Sequence, residues 1–410
     1  MDSSTVSILS TIYRFQPLTR RALCDRVGLS ANRVAAVVSR LIEQRLVIEE
    51  TSPDGAPGRP AAALSLNPDI GRVVGLDIGD GHSRAVLSDA VGHVLAAVVQ
   101  PTQAVPDRAI ILEDIVGLVK TVCQQGQTQP EQLLALCVGV QGIVDTRAEI
   151  VLDWPNMPAW VDGWKGLDLP GELNRRLGVE PVWVDDTARA VAMAAQRFGA
   201  AQGKTDFLYL FLGNGIGSGI FVNGRLYTGS RGIAGEVGHI TVDEQGPWCS
   251  CGNRGCLEVM ASTSAVLRRA GERLAGTSLM STLRQPYERN ALTLAALIEA
   301  ARARDKLAFQ ILDETGTYVG GVLATALNVL GLELVVLGGP LAQGDEIILD
   351  AVRRQVNLRA LQHISKQVHI VCDDQGELAG AHGAALLALD GFFGSERYLL
   401  RLLDRGGSRP

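Results

Sequence analysis

Three cysteines, Cys249, Cys251 and Cys256, fall within eight residues in the stretch WCSCGNRGCLE. Their thiolates are soft ligands, and His239 stands ten residues before the first of them in the element GEVGH. Three sulfurs and one imidazole complete a closed, tetrahedral zinc site. A disulfide fits less well, because Cys249 and Cys251 are one residue apart and badly placed to bridge each other. A redox pair would be a CxxC beside a βαβ pattern, which is absent. Gly252 and Gly255 supply turns with which the loop can fold around an ion. The other four cysteines, Cys24, Cys123, Cys137 and Cys372, lie among apolar neighbours and read as small buried residues. Carboxylates flank the cluster, Glu236 three residues before His239 and Glu258 two residues after Cys256.

A second pattern with chemical content is glycine. DIGDG occupies residues 77–81 and GNGIGSG residues 213–219, each after an apolar run. Glycines between strands let backbone N–H groups approach an anion closely. Asp77, Gly79, Gly213, Gly215 and Gly217 are therefore candidates for a phosphate loop. The later run leads into a strand rather than a helix, so it is not the dinucleotide fingerprint.

The elements that must position these residues are alternating strands, glycine turns and amphipathic helices from Arg72 onward, the texture of an α/β domain. Residues 72–100 predict three consecutive strands with turns at Gly79–Gly81 and Asp89–Gly92. A helix over 107–124 and the strand LLALCVGV follow. A second series begins near Thr205, where FLYLFL, the glycine turn and IFVNGRLY predict strand, turn and strand. LELVVLGG predicts a buried strand before the helix EIILDAVRRQV, and SERYLLRLLDRGGSRP predicts a short terminal helix that frays.

The first sixty residues differ in character. Val6, Ile8, Leu9 and Ile12 share one helical face that closes before Pro17, and TRRALCDRV predicts a second helix with Leu23 and Val27 inward. After a turn at Gly28–Leu29, Ser30 caps a third helix, ANRVAAVVSRLIEQR, which buries Val34, Val37, Val38, Leu41 and Ile42. LVIEE and AALSL frame a two-stranded wing. This is the plan of a winged helix-turn-helix, whose third helix enters the major groove. Ser30, Asn32, Arg33, Ser39 and Arg40 on that helix, and Arg59 on the wing, are the candidate DNA contacts. Arginine and asparagine match guanine and adenine edges, and Arg59 suits a narrow minor groove. The competing reading is a three-helix protein-interaction module with solvated arginines.

Charge supports the division. Residues 1–60 carry eight arginines, no lysine and six acids, or +2, so the rest of the chain holds −8 of the net −6. A negative body argues against indiscriminate coating of nucleic acid. With 410 residues, 47% hydrophobic and 20% charged, the chain is globular and too long for one core. No apolar run approaches the ~20 residues of a membrane span, and the N-terminus lacks a secretory pattern. The expected location is the cytoplasm, where thiols stay reduced.

The series DIGDGH, VDDTARA, GNGIGSG, GEVGH, CSCGNRGCLE and VVLGGP resembles the ROK family of repressors, open reading frames and sugar kinases, and the GRP element after a winged helix resembles its repressor branch. The resemblance covers nearly the whole chain. It implies two lobes of the actin/hexokinase-like fold with a cleft between them, behind a DNA-binding head. The expected fold is thus α/β, with a winged helix-turn-helix over 1–70, a first lobe over 71–190 and a second lobe with the zinc loop and C-terminal helices over 191–410. It further implies that Glu236, His239 and Glu258 grip sugar hydroxyls, and that Asp185-Asp186 stands for the family's Asn-Asp pair, Asp186 being the general base of a kinase. Asn156 in WPNMPAW is a further candidate sugar contact. The plainer reading is that these acids only orient metal ligands or cap turns.

Several positions depart from the kinase pattern. Family kinases read approximately DIGGTK where this chain has Asp77-Ile-Gly-Asp80-Gly81-His82, so Asp80 puts negative charge where phosphates would sit. Asn214 replaces a common threonine, the helix after Asp186 is one residue longer, and Ala195 takes a glutamate position. These departures predict a non-catalytic sugar sensor with a vestigial phosphate loop, in which ATP and Mg²⁺ are not expected; the zinc expected from the cysteines and His239 is structural. The partners expected are operator DNA, a small sugar effector and a second or further copies of the chain, with no membrane. The alternatives are an active sugar kinase using Asp186, and a scaffold that binds neither DNA nor sugar.

Overall fold

The structure, a computed structural model, describes residues 3–51, 62–79, 81–102, 108–153, 167–276, 280–342 and 346–406. These fall into two compact units, one made of 1–138, 168–183 and 384–410 and the other of 139–167 and 184–383. Each unit gathers segments far apart in the chain.

The first unit opens with α1 (Ser3–Phe15), β1 (Leu18–Thr19), α2 (Arg20–Val27), α3 (Ala31–Glu43), β2 (Val47–Thr51) and β3 (Ala62–Leu66). Ser30 caps α3 by accepting from the Arg33 N–H, and Val34, Val37, Val38 and Leu41 line its buried face at i, i+3, i+4 and i+7. Strands β2 and β3 form the antiparallel wing, with β1 added to the far side of β3. Val27 and Ile42 are half-buried rather than fully inward, because both sit at the margins of their helices' apolar faces.

Strands β4 (Arg72–Ile78), β5 (His82–Asp89) and β6 (Val94–Pro101) form an antiparallel meander. Helix α4 (Arg108–Gln125) follows, then β7 (Ala135–Val140). A hairpin of β8 (Ile143–Asp145) and β9 (Ile150–Asp153) precedes α5 (Leu169–Leu177), β10 (Val182–Asp186) and α6 (Thr187–Phe198). The sheet order is β10-β7-β4-β5-β6. Strand β7 is buried along its whole length, as expected for an inner strand covered on both faces.

The second sheet repeats that plan. Strands β11 (Phe207–Leu212), β12 (Ile216–Val222) and β13 (Arg225–Leu226) make a meander. The helical block α7 (Leu257–Ala261), α8 (Thr263–Gly276), α9 (Arg284–Glu288), α10 (Leu294–Arg302) and α11 (Lys306–Leu330) leads to β14 (Leu334–Gly338), which lies parallel to β11. After α12 (Glu346–Arg359) and α13 (Gln362–Ser365), β15 (His369–Cys372) adds in parallel, giving the order β13-β12-β11-β14-β15. Both sheets therefore place a three-stranded meander beside two later strands in the same order. The core of the second unit packs Leu208, Leu210, Val335 and Leu337 of the sheet against Ile311, Val319 and Leu323 of α11.

The chain ends in α14 (Ala379–Gly394) and α15 (Glu396–Gly406). Phe393 on α14 stacks on Tyr13 of α1, with ring centroids 4.6 Å apart and planes inclined by 15°. The terminal helices thus pack against the N-terminal three-helix head within the first unit. No helix among the described residues is long and apolar enough to cross a membrane.

Candidate functional site

The cysteines and histidine singled out in the sequence meet. The ligand atoms of His239, Cys249, Cys251 and Cys256 all lie within 4.8 Å of one another. Cys251 Sγ is 3.6 Å from Cys256 Sγ, and Cys249 Sγ is 3.6 Å from His239 Nδ1. Metal–sulfur bonds of about 2.3 Å in a tetrahedron set neighbouring donors about 3.8 Å apart, whereas a disulfide needs about 2.05 Å. The spacing is that of a coordination sphere, and all the cysteines are free. Backbone turns build the loop: the Cys249 N–H donates to the Asn253 carbonyl and the Gly255 N–H to that of Pro247. Gly255 adopts φ +57°, and a Cβ there would lie 1.6 Å from the Asp243 carbonyl oxygen, so only glycine fits.

The other face of His239 looks elsewhere. Its Nε2 lies 4.0 Å from Glu236 Oε2, and both residues line a concavity of about 640 Å³, open mouth included. Asp186, Arg189, Glu258, Gly215 and the start of β12 at Ile216 and Gly217 line the same pocket. Among the described residues, the lining comes from the second unit alone.

Asp186 is placed by helix α6, which it caps by accepting from the Ala188 and Arg189 N–H groups. Burial pushes its carboxyl up to about 7, with the charges of Glu236 and Asp185 adding to the effect and Arg189 opposing it. Glu236 keeps 38% of its side-chain surface exposed, yet partial burial still raises it, while Arg189 and His239 pull it down. Glu258 Oε2 accepts the Ile216 N–H at 2.9 Å, which ties α7 to the first residue of β12.

Asp185 is diverted from the pocket. Its Oδ1 accepts from the Asp186 N–H at 2.7 Å and from Arg189 Nε at 2.6 Å, and it is not among the described lining residues. Arg189 is the functional candidate that sequence reasoning missed. A sequence clue existed, since a cation at i+4 from Asp185 on a helix can turn back to it. Asn156 lies outside the described residues.

The glycine patterns resolve differently from the expectation. Strand β12 begins at Ile216, so Gly217 belongs to the strand and the turn is confined to 213–215. A Cβ on Gly217 would stand 2.7 Å from Ala188 Cβ, so the glycine serves the close packing of β12 on α6. The Gly213 carbonyl accepts the Thr263 N–H. In the other unit, Asp77 is buried and faces its cross-strand partner Arg84, Nη1 to Oδ2 3.7 Å. The Gly79 carbonyl accepts from Thr102 Oγ1 at 2.8 Å. Asp80 lies outside the described residues.

In the head, Ser30 spends its hydroxyl on capping α3, while Asn32, Arg33 and Ser39 are exposed. Arg40 is exposed as well, and its Nη2 donates to Thr5 Oγ1 at 2.7 Å, tying α3 to α1. The buried Thr5 hydroxyl offers an acceptor one helix away, and a long guanidinium reaches it. Arg59 lies outside the described residues.

Comparison with known proteins completes the picture. The sequence pattern of the ROK family matches residues 73–391, and that of the MarR family matches residues 1–56. The chain belongs to the ROK family. Among relatives of this ROK chain, the xylose repressor of Bacillus subtilis (strain 168) is 28% identical over 386 residues, 94% of each chain. The crystal structure of a ROK family transcriptional regulator, homologous to the E. coli MLC protein, superposes with a TM-score of 0.81 at 25% identity and covers 98% of both chains. A ROK family glucokinase from Streptomyces griseus, in complex with glucose and AMPPNP, superposes with a TM-score of 0.66 at 29% identity. That match takes in 78% of this chain but 99% of the kinase. The architecture is therefore a MarR-like winged head joined to a ROK domain of the actin/hexokinase-like type.

Proposed function

We propose that this chain is a sugar-responsive, DNA-binding transcriptional repressor whose kinase-like domain senses a sugar without phosphorylating it. The observation that carries the reading is the shared pocket of Asp186, Glu236, His239 and Glu258, in a chain that also holds a winged helix-turn-helix. Polyols need several hydrogen-bond acceptors in one concave site, because a buried hydroxyl left unpaired costs about 1–3 kcal/mol. Relatives named as repressors, matched over more than nine-tenths of both chains, support the same conclusion. Asn32, Arg33 and Ser39 would read base edges from α3, with Arg59 in the adjacent minor groove. A homodimer would set two heads on half-sites about 34–36 Å apart.

The donor set of His239, Cys249, Cys251 and Cys256 fits zinc, which when bound supplies the charge that keeps the thiolates ionised. The protein's own contribution is orientation. With Nδ1 committed to the cluster, His239 presents Nε2 to Glu236 and to the sugar pocket.

One observation favours a second reading, a working sugar kinase: Asp186 at about 7 has the proton affinity of a general base near neutral pH. Against it, Glu258 takes the Ile216 N–H that follows the glycine turn, and Arg84 faces Asp77 at 3.7 Å. Both groups are then spent before any nucleotide phosphate or metal could use them.

The test is an operator fragment, selected with the protein itself, followed by fluorescence anisotropy with D-xylose, D-glucose and N-acetylglucosamine. Release of the fragment by one of these sugars, with no ADP formed from ATP, supports the sensor. ADP production abolished in Asp186→Asn would replace it with the kinase.

A further inference from the structure

We infer that Arg189 is a sugar-binding, specificity-determining residue, whose second guanidinium nitrogen donates to a sugar oxygen at the floor of the pocket. The inference rests on the sensor reading above and names one chemical requirement of its ligand.

Arg189 sits in the first turn of α6 and lines the pocket, yet only 2% of its side chain is exposed. A buried guanidinium must have its N–H groups met by acceptors. Nε donates to Asp185 Oδ1 at 2.6 Å and Nη1 to the Gly232 carbonyl at 2.6 Å. Nη2 has no hydrogen-bond partner among the described residues. The nearest acids do not remove the vacancy. Asp186 Oδ1 already accepts two backbone N–H groups, and Glu236 acts on Arg189 through its charge. Nη2 is itself buried, and buried donors left without acceptors are uncommon in folded proteins; because the side chain that carries it lines the pocket, a ligand oxygen is the acceptor we assign to it.

The requirement complements the rest of the site. Asp186, Glu236 and Glu258 are carboxylates, which when ionised only accept hydrogen bonds. They satisfy the O–H donors of a polyol but none of its oxygen lone pairs. Arg189 supplies a donor, beside the Nε2–H of His239. Its other two contacts hold Asp185 on one side and the Gly232 carbonyl, four residues before Glu236, on the other. Guanidinium geometry fixes the third direction once two are set, so a single hydroxyl or carbonyl oxygen position on the ligand is selected. Lysine, a flexible point charge, would keep the ion pair and lose that direction.

The experiment measures calorimetric affinities of the parent protein and of Arg189→Lys for D-xylose, D-glucose and N-acetylglucosamine, then for the monodeoxy analogues of whichever sugar binds. The expected result is at least about tenfold weaker binding of the intact sugar by Arg189→Lys. One deoxy analogue, lacking the contacted oxygen, should be bound equally by both proteins, since the cycle removes the same contact twice. A uniform loss across all analogues would mark Arg189 as structural, and no loss would remove it from the site; either overturns the inference. If Arg189→Lys does not fold, a crystal structure of the parent with its sugar decides: Nη2 within about 3.2 Å of a sugar oxygen supports the contact, and no sugar oxygen within that reach refutes it. Failure of all three sugars to bind the parent protein would instead sink the sensor reading itself.

Discussion

His239 holds Cys249 Sγ 3.6 Å from its Nδ1 and Glu236 Oε2 4.0 Å from its Nε2. One imidazole therefore belongs at once to the cysteine cluster and to the acidic pocket. Whatever sets the ring through the sulfurs also sets which imidazole nitrogen the Glu236 carboxylate meets in the pocket.

The first prediction is that sugar affinity depends on the metal cluster. Chelation, or Cys251→Ser, should strip zinc and weaken sugar binding by about 10–100-fold, the usual effect of losing a group that orients a site residue. Metal analysis alongside calorimetry checks it. Burial pushes the Cys256 thiol up to about 12 without a cation, so reloading at neutral pH should release protons, seen as a heat that varies with buffer ionisation enthalpy.

A second prediction concerns pH. Asp186 has its folded-state value raised from 3.8 to about 7, so the folded protein holds a proton that the unfolded chain has given up. Below about 4 both states are protonated and the residue costs nothing; between those values stability falls as pH rises, and above about 7 the full penalty is present. Asp186→Asn keeps a good N-cap and removes the buried charge. It should raise the melting temperature by a few degrees at pH 8 and by much less at pH 5, while lowering sugar affinity at both. Thermal unfolding across pH checks the slope.

Two arginines on α3 should separate cleanly. Arg33→Ala should weaken operator binding by about 1–3 kcal/mol and relax preference at one base position. Arg40→Ala loses the bond to Thr5 instead. It should destabilise the head by about 1 kcal/mol and leave base preference intact. Anisotropy against a panel of single-base operator variants, with a melting curve for each protein, distinguishes the two.

The Tyr13–Phe393 stack ties the ends of the chain together. Phe393 is fully buried, and Phe393→Ala should cost about 3–5 kcal/mol. Chemical denaturation followed separately by head and body probes should show the head loosening first.

The parts of this molecule that were legible in the sequence share a local origin. The Ser30 cap, the buried stripe of α3 and the meander over 72–101 follow from spacing along a few residues. The cluster of His239 with three cysteines was legible because chemistry restricts what such residues can do together. What was missed needed the third dimension. Nothing local says that Arg40 turns to Thr5 thirty-five residues away, or that Arg189 reaches the carbonyl of Gly232. Glycine in a strand is ambiguous, because it admits an anion or a neighbouring helix; at Gly217 the packing of Ala188 of α6 could not be read from the spacing. The helical block from α8 to α11 was also unmarked, since apolar helical runs do not announce which sheet they will cover.

The most direct test of the account is the reciprocity between its two ligands. If a sugar in the pocket of Asp186, Glu236, His239 and Glu258 releases operator DNA, then bound operator must weaken the sugar by the same factor, about 5–150-fold for typical couplings. Sugar affinity should be measured by calorimetry on the zinc-loaded protein, free and saturated with operator. The account predicts weaker binding in the operator complex, by the factor seen in the reverse titration. Equal sugar affinity with and without operator would contradict it.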